Sequence, residues 1–520
     1  SLSDKRRSRN INSFQKEIYP FSGSKKILIF LGILIGVLVG LIVSLFRILI
    51  TLGFSLNEYV FFQAHQFLFI WFFIIPIYFL IGYFLVRLVK KEPNIKGSGI
   101  PQVEAQLIDA INIKWLSVLI KKFLGGILSI STGLMLGREG PSIQLGAAIG
   151  QGISEIKKMS KSETKILISA GAAAGLSAAF NAPIAAILFV VEEMHHNFSN
   201  FVWISAFIAS LTADFVSMEF FGLKPILHFT NVEPLSLKQY PWLITMGILI
   251  GILAIIYQRN TLALPAIFKK IPFSDYLDIF IPLIMIIPSV YFVPQLIGGG
   301  NQLILSLDKM KISFLLLITL FLFRYVYSMI SYGSGLPGGI FLPILTLGAI
   351  IGYLFYKVLF AFGIVAYQEA SVFIVIGMAS YFGSISMAPL TSIILVTEMV
   401  GNLEHIMPLG LTTLVAYLVV DSMGGQAIYE SMMMNLLKNN SYNNFSKQDR
   451  QIYDFPVTVD SSIVGKNISE IKWPKGCLVI YILRNSKRLS VNGDTKVVSN
   501  DHLICLINQT YLSDMKKILN

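Results

Sequence analysis

The 520-residue sequence predicts an all-α polytopic membrane protein made of two related halves, with a small α+β domain at its C-terminal end. Three observations carry that expectation. Hydrophobic residues make up 54% of the chain and charged ones only 13%, where a soluble domain is about a quarter charged. Several apolar runs approach the ~20 residues that a membrane-spanning helix needs. Two long blocks of small and apolar residues recur at nearly one offset.

Residues 1–24 form a basic tail. With Lys5, Arg6, Arg7, Arg9, Lys16, Lys25 and Lys26 ahead of the first apolar run, this end is expected on the cytoplasmic side. A nucleic-acid-binding tail does not fit beside an adjacent span. The first run is too long and too late for a cleaved signal peptide, and Ser1 in place of an initiator Met points to a processed or trimmed end. Apolar cores follow at Ile27–Ile50, Leu68–Val89, Trp242–Tyr257, Phe280–Val293, Phe314–Phe323, Val372–Val400 and Ile406–Val420. Residues 25–435 are membrane-like throughout.

Many of these segments are interrupted, at Gly97–Pro101, Gly137–Pro141, Asn181–Pro183, Gly298–Gly300, Gly333–Pro343 and Met387–Pro389. Non-helical backbone at membrane depth survives only where protein or a water-filled path covers it, so broken helices point to a transport site. The Gly137–Ser142 stretch stands out, because it places Arg138 and Glu139 between apolar segments. Ionisable residues there are costly and usually functional. Gly, Pro and Ser around them suit a helix start, with Ser expected to cap. The bare N–H groups of such a start favour an anion. Glu139 and a mobile anion are therefore expected to compete for one helix N-terminus.

The repeat is explicit. Gly137, Pro141, Leu145, Gly146, Ala147, Ile149 and Gly150 recur at Gly339, Pro343, Leu347, Gly348, Ala349, Ile351 and Gly352, a shift of 202 (339 − 137). Gly171, Ala173, Ala182, Pro183, Ile187, Val190 and Glu192 recur at Gly377, Ala379, Ala388, Pro389, Ile393, Val396 and Glu398, a shift of 206 (398 − 192). Such repeats place a substrate site at their interface, and their relative orientation is open at this point. In the second half, Phe341 stands where Glu139 stands in the first.

Residues 436–454 read as an Asn-rich linker and residues 455–520 as a small domain. Strands are expected at Val457–Val459, Cys477–Leu483 and His502–Ile507, a turn at Gly493-Asp494 and a helix at Tyr511–Leu519. A domain of that size is marginal alone, so pairing with a second copy is expected. The two cysteines, Cys477 and Cys505, give neither metal spacing nor a disulfide framework.

Gly97-Ser98-Gly99-Ile100-Pro101, Gly137-Arg138-Glu139-Gly140-Pro141 and Gly339-Ile340-Phe341-Leu342-Pro343, in that order, resemble the motifs of the CLC family of chloride channels and proton-coupled chloride transporters. Tyr429 after Gly424-Gly425 matches the family's late tyrosine. The resemblance implies two inverted repeats, a homodimer with one anion path per subunit, and a multi-pass protein of the plasma membrane with both termini cytoplasmic. It implies chloride binding by Ser98, Gly99, Ile100, Gly137, Arg138, Ile340, Phe341 and Tyr429, and a gating role for Glu139. Partial dipole charges in place of fixed cations suit release as well as binding. Serine at 98 looks like the chloride-preferring version of the motif. Glu193 matches the internal proton relay of exchanging members, which favours a chloride/proton antiporter; the alternative is a passive voltage- or ligand-gated chloride channel. No cofactor or metal is expected. Glu192-x-x-His195 has the spacing of one carboxylate–imidazole pair, but a di-metal set needs two such pairs and Gly401 follows Glu398 where a second His would fall. An intramembrane hydrolase using Glu192 and His195 lacks the rest of its machinery. His195 and His196 carry no assigned role.

The C-terminal residues resemble the RCK (TrkA-C) regulatory subdomain. The resemblance is carried by Ser462–Lys466, Leu478–Arg484, Gly493-Asp494-Thr495 and Asn500–Leu503. Where that family often has Gly-Asp before its last strand, this chain has Asn500-Asp501. Modules of this kind dimerise and some bind cyclic di-AMP. Ile480, Ile482, Leu483 and Arg484 would suit such an anionic nucleotide, with ligand-free dimerisation as the alternative.

Overall fold

The computed structural model describes residues 25–195, 200–229, 234–271, 274–309, 312–439, 450–457, 461–474, 476–484, 487–508, 515 and 518. The basic tail, His196, most of the expected linker and most of the expected Tyr511–Leu519 helix lie outside the described residues. The chain divides into two units, one ending at Leu436 and the other beginning at Leu437.

The first unit is helical, and its breaks fall where Gly, Pro and Asn put them. In chain order its helices are α1 (Lys25–Gln66), α2 (Trp71–Lys91), α3 (Ile100–Leu107), α4 (Trp115–Ser131), α5 (Glu139–Ile156), α6 (Lys161–Phe180), α7 (Pro183–Phe189) and α8 (Asn200–Phe221). A second set follows as α9 (Tyr240–Phe268), α10 (Ser274–Phe292), α11 (Asn301–Ser306), α12 (Phe314–Gly333), α13 (Phe341–Ala361), α14 (Ala370–Ser386), α15 (Pro389–Val400), α16 (Ile406–Ser422) and α17 (Ile428–Asn439). Among the described residues, seven helical segments are long and apolar enough to cross a membrane. The long apolar run Val372–Val400 is two helices, because Met387 takes a left-handed backbone between α14 and α15. Asn181 does the same between α6 and α7. Helix α14 is buried along its length.

The two halves pack as inverted repeats. Gly137 and Gly339 exchange both backbone hydrogen bonds at 2.7 Å as an isolated antiparallel bridge. The repeat-related helix pairs α5/α6 and α13/α14 touch backbone to backbone. A Cβ on Gly146 would lie 2.0 Å from the carbonyl oxygen of Gly171, and one on Gly348 would lie 2.5 Å from that of Gly377. Small residues let helices approach this closely where lipid gives no hydrophobic drive for association.

Repeat symmetry also cross-links the halves. Glu192, in a π-turn over Val190–His195 after α7, accepts from the backbone N–H groups of Leu390 and Thr391 (3.2 and 2.7 Å) and from the Thr391 hydroxyl (2.6 Å) at the start of α15. Glu398, its repeat mate at the end of α15, accepts from Ile184 and Ala185 N–H (3.2 and 2.8 Å) at the start of α7. Each short helix closes the other's open N-terminus with a carboxylate, which satisfies its orphan donors and its dipole.

The second unit carries one antiparallel sheet in the order β1-β4-β2-β3, with β1 (Arg450–Pro456), β2 (Leu478–Arg484), β3 (Lys487–Ser490) and β4 (His502–Asn508). Phe455, Ile463, Ile482, Leu503 and Cys505 form its core. The first strand runs over residues read as linker and ends before Val457, because Arg450–Pro456 pair along the whole of β4. The expected Gly493-Asp494 turn is present. Asn500 has φ +67°, the left-handed conformation that glycine favours and Asn tolerates, so Asn-Asp makes the turn that Gly-Asp would make before the last strand.

Candidate functional site

The Gly97–Pro101 loop is held on all sides. Gly97 accepts from the Gly338 N–H (3.0 Å) and donates to the Gly335 carbonyl (3.1 Å). Lys122 on α4, fully buried, donates to the carbonyls of Ile95 (2.9 Å) and Gly97 (2.7 Å). Gly99 has φ +93° and starts α3. Ser98 is buried, and its hydroxyl has no protein partner. A Cβ on Gly140 would sit 2.3 Å from that hydroxyl oxygen, so the first turn of α5 presses directly against Ser98.

Helix α5 begins at Glu139, with Arg138 preceding it. Ser142 is not the cap that its place in the sequence suggests; its hydroxyl donates to the Arg138 carbonyl at 2.9 Å, one turn back. Glu139 is fully buried; among the described residues no side-chain partner reaches its carboxylate, on which the backbone N–H groups of Glu139 itself and of Leu342 act. A Cβ built on Gly137 would lie 2.2 Å from Glu139 Oε2 and 3.3 Å from the Leu342 nitrogen. The carboxylate is therefore seated beside the Gly137–Gly339 bridge, at the joint between the first turns of α5 and α13. Among the described residues Glu139 has no ion pair, although Arg138 and Arg47 act on it electrostatically.

Ile340 immediately precedes α13 and Phe341 opens it. The Phe341 ring packs against Phe382 (4.1 Å between centroids), Phe180 (5.2 Å) and Phe189 (6.4 Å). Its side chain is core. Tyr429 is buried at the start of α17 with its hydroxyl unpartnered, and its ring meets Phe189 edge-on at 6.3 Å. Glu139 and Glu193 both act electrostatically on Tyr429. Glu193 is buried in the π-turn, with Oε1 unpartnered, and faces a cavity of about 390 Å³. Adjacent residues on a helical turn point to different sides, so Glu192 and Glu193 meet different partners. The structure thus gathers Ser98, Gly99, Ile100, Gly137 and Glu139 around the α3/α5 contact, and sets Phe341 and Tyr429 against one aromatic cluster.

Sequence reasoning missed three supporting residues. Lys122 has a repeat mate in Arg324 (324 − 122 = 202), which is also buried and donates to the carbonyls of Leu296, Gly298 and Gly299 at 2.8–2.9 Å. A cation in an apolar helix at the repeat offset, Lys122 (beside Lys121) and Arg324, is a readable signal. Tyr332 is the third: it lies against the Ser98 backbone, and its hydroxyl reaches the Met432 sulfur at 3.2 Å. Nothing in its local sequence marks it.

In the second unit, Arg484 makes a two-pronged bond to buried Asp501 (Nε and an Nη to the two carboxylate oxygens, both 2.8 Å) and donates to the Lys496 carbonyl. Burial alone would push the Asp501 carboxyl up, but the Arg484 bond and the Val498 N–H outweigh it and hold it below its ordinary value. Ile482 lies in the core, Ile480 sits at a register irregularity in β2, and Leu483 is half-buried.

Residues 77–421 match the voltage-gated chloride channel family, and residues 452–520 match the TrkA-C domain. The H(+)/Cl(-) exchange transporter ClcA of Vibrio campbellii is 35% identical over 374 residues, covering 69% of this chain and 78% of that protein. The same transporter from Citrobacter koseri is 32% identical over 388 residues, covering 72% and 80%. Among solved structures, a slow cyanobacterial Cl-/H+ antiporter superposes with a TM-score of 0.74 at 29% identity, covering 79% of this chain and 98% of that one. A CLC-type fluoride/proton antiporter shares the fold at TM-score 0.64 and 21% identity.

Proposed function

The chain belongs to the voltage-gated chloride channel family, and on that premise we propose that it exchanges chloride for protons across the plasma membrane. The observation that carries the reading is the buried Glu139 carboxylate at the joint of two helix N-termini, where an anion would otherwise be favoured. Ionised, it holds the anion's own place. Protonated, it loses its attraction to the positive dipole ends and leaves, and a chloride ion takes over the N–H groups. One residue thereby links proton and anion occupancy, and the linkage is reciprocal. Ser98 and Tyr429 supply hydroxyl donors to the anion; Gly99, Ile100, Gly137, Arg138, Ile340 and Phe341 supply backbone. Their unpartnered hydroxyls support this, since a buried O–H without a protein partner is unusual. Glu193 relays protons on the inner side. The relatives' names support exchange over passive conduction.

The protein acts as a homodimer with both termini cytoplasmic; the chain is organised as a 1–24 tail, a 25–435 membrane domain, a linker and a regulatory domain whose expected start at 455 moves back to the first strand at Arg450. The TrkA-C match supports control of transport by a small cytosolic ligand, for which cyclic di-AMP is the candidate. Arg484 already serves Asp501, so a nucleotide phosphate there must compete with an internal ion pair. Titration of the full chain with cyclic di-AMP, followed by binding heat and transport rate, tests this; no heat and no change in rate leave a dimerisation role. For the transport reading, Glu139→Ala in liposomes is expected to pass chloride without moving protons, and Glu193→Ala to block protons more than chloride. Unchanged proton transport in Glu193→Ala removes Glu193 from the mechanism.

A further inference from the structure

The cavity beside Glu193 has a second carboxylate on its wall. Glu430, the residue after Tyr429, lines it together with Gln426, Ser431 and Met434. Glu430 is exposed, whereas Glu193 is only 3% accessible. A third carboxylate, Glu104 on α3, is 5% accessible, and both its oxygens are buried without any hydrogen-bond partner. Glu193 and Glu430 both act electrostatically on Glu104, and Glu430 acts on Glu193. Each carboxylate comes from a different element: α3, the π-turn and α17. Among the described residues, the other titratable groups that act on this trio are Glu192, which is spent on the start of α15, and Tyr429. Among the described residues no Lys, Arg or His makes an ion pair with any of the three.

Glu104 and Glu193 are buried carboxyl groups without a cation, which is costly; Glu430 reaches the cavity from the exposed side. A chain that needed only to close this space would place apolar side chains here. We propose that Glu430 is a proton-handling residue for the exchange reaction: the inlet carboxylate that takes a proton from cavity water and passes it to Glu193. The transfer balances as one proton leaving the Glu430 carboxyl for the Glu193 carboxylate, directly or through a cavity water, followed by reprotonation of Glu430 from solvent. Glu104 is not on the cavity wall and acts on this pair only through its charge. The inference rests on the exchange reading.

The test uses the full chain in liposomes with an imposed chloride gradient, reading proton and chloride fluxes on the same vesicles. In Glu430→Gln the proton-to-chloride flux ratio is expected to fall about threefold or more, a modest part of what a positioned acid–base group contributes because water can partly replace an inlet. Glu430→Asp should restore most of the ratio, which a merely structural role for the glutamate side chain would not require. Chloride flux in Glu430→Gln itself reports whether that variant is folded. An unchanged ratio in a chloride-transporting Glu430→Gln overturns the proposal, and so does a loss that Glu430→Asp does not rescue. If the unsubstituted protein moves no protons, the exchange reading fails first, and that outcome is distinct from either.

Discussion

Replacing Gly137 by alanine tests the seating of the gate without touching its titratable group. The position does not have a positive φ, so the backbone tolerates alanine. The added methyl would stand 2.2 Å from Glu139 Oε2 and 3.4 Å from its Cδ. Ordinary contacts need about 3.5 Å, so the carboxylate must retreat by roughly 1 Å or more. A shift of that size in a reacting group costs on the order of 10²-fold. Gly137→Ala is therefore expected to retain chloride transport, with the anion's place less often occupied by Glu139, and to lose much of its proton movement. The repeat mate is the control. The nearest atoms to a methyl on Gly339 are the Gly140 nitrogen at 3.3 Å, the Gly137 oxygen at 3.5 Å and the Gly140 Cα at 3.6 Å, none of them in the Glu139 side chain. Gly339→Ala should therefore keep the proton-to-chloride ratio within about twofold of the parent. The assay is paired proton and chloride flux in liposomes. Equal ratios in the two variants, whether both kept or both lost, refute the claim that Glu139 is seated against Gly137.

Three further outcomes follow from the packing. Glu192→Gln removes charge from three hydrogen bonds at the start of α15 and should destabilise the membrane unit by about 2 kcal/mol, seen as earlier melting in detergent; Glu398→Gln, with two bonds, should cost less. Lys122→Met takes the lysine donor from the Ile95 carbonyl and leaves the Gly97 carbonyl only the Gly338 N–H, and should weaken both chloride binding and stability, whereas Arg324→Met, on the loop without Ser98, should lower stability alone; chloride titration calorimetry and melting separate the two. Asp501 titrates below its ordinary value of 3.8 when folded, so its contribution is complete at neutral pH and disappears as pH falls through 3.8 and below. Asp501→Asn should therefore melt the second unit earlier at pH 7, with the difference from the parent shrinking in acid.

The helix breaks were legible because each rests on local chemistry: Gly or Asn in a left-handed backbone, or Pro in a first turn. The two-fold organisation was legible because Gly137/Gly339 and Glu192/Glu398 recur at a readable offset. What the chain text hides is which partner a repeated residue serves. Glu192 and Glu193 are adjacent and alike in sequence, yet one caps a helix 198 residues away and the other faces a cavity. Adjacent side chains on a helical turn point to different sides, and no residue type signals which of the two meets which partner. The expected Ser142 cap failed because the helix starts three residues earlier, at Glu139, where the Gly137–Gly339 bridge ends the extended backbone. The strand β3, Lys487–Ser490, escaped notice because two basic residues open it, as is common on a sheet edge.

The central claim is that one buried carboxylate makes chloride and protons exchange for one another. Its most direct test is the purified protein in liposomes, with a chloride gradient imposed at equal pH on both sides. The account predicts that chloride flow down its gradient drives protons uphill, that the pH difference develops in the opposite direction when the gradient is reversed, and that Glu139→Ala abolishes it. Chloride flow with no accompanying pH change in the unsubstituted protein would contradict it.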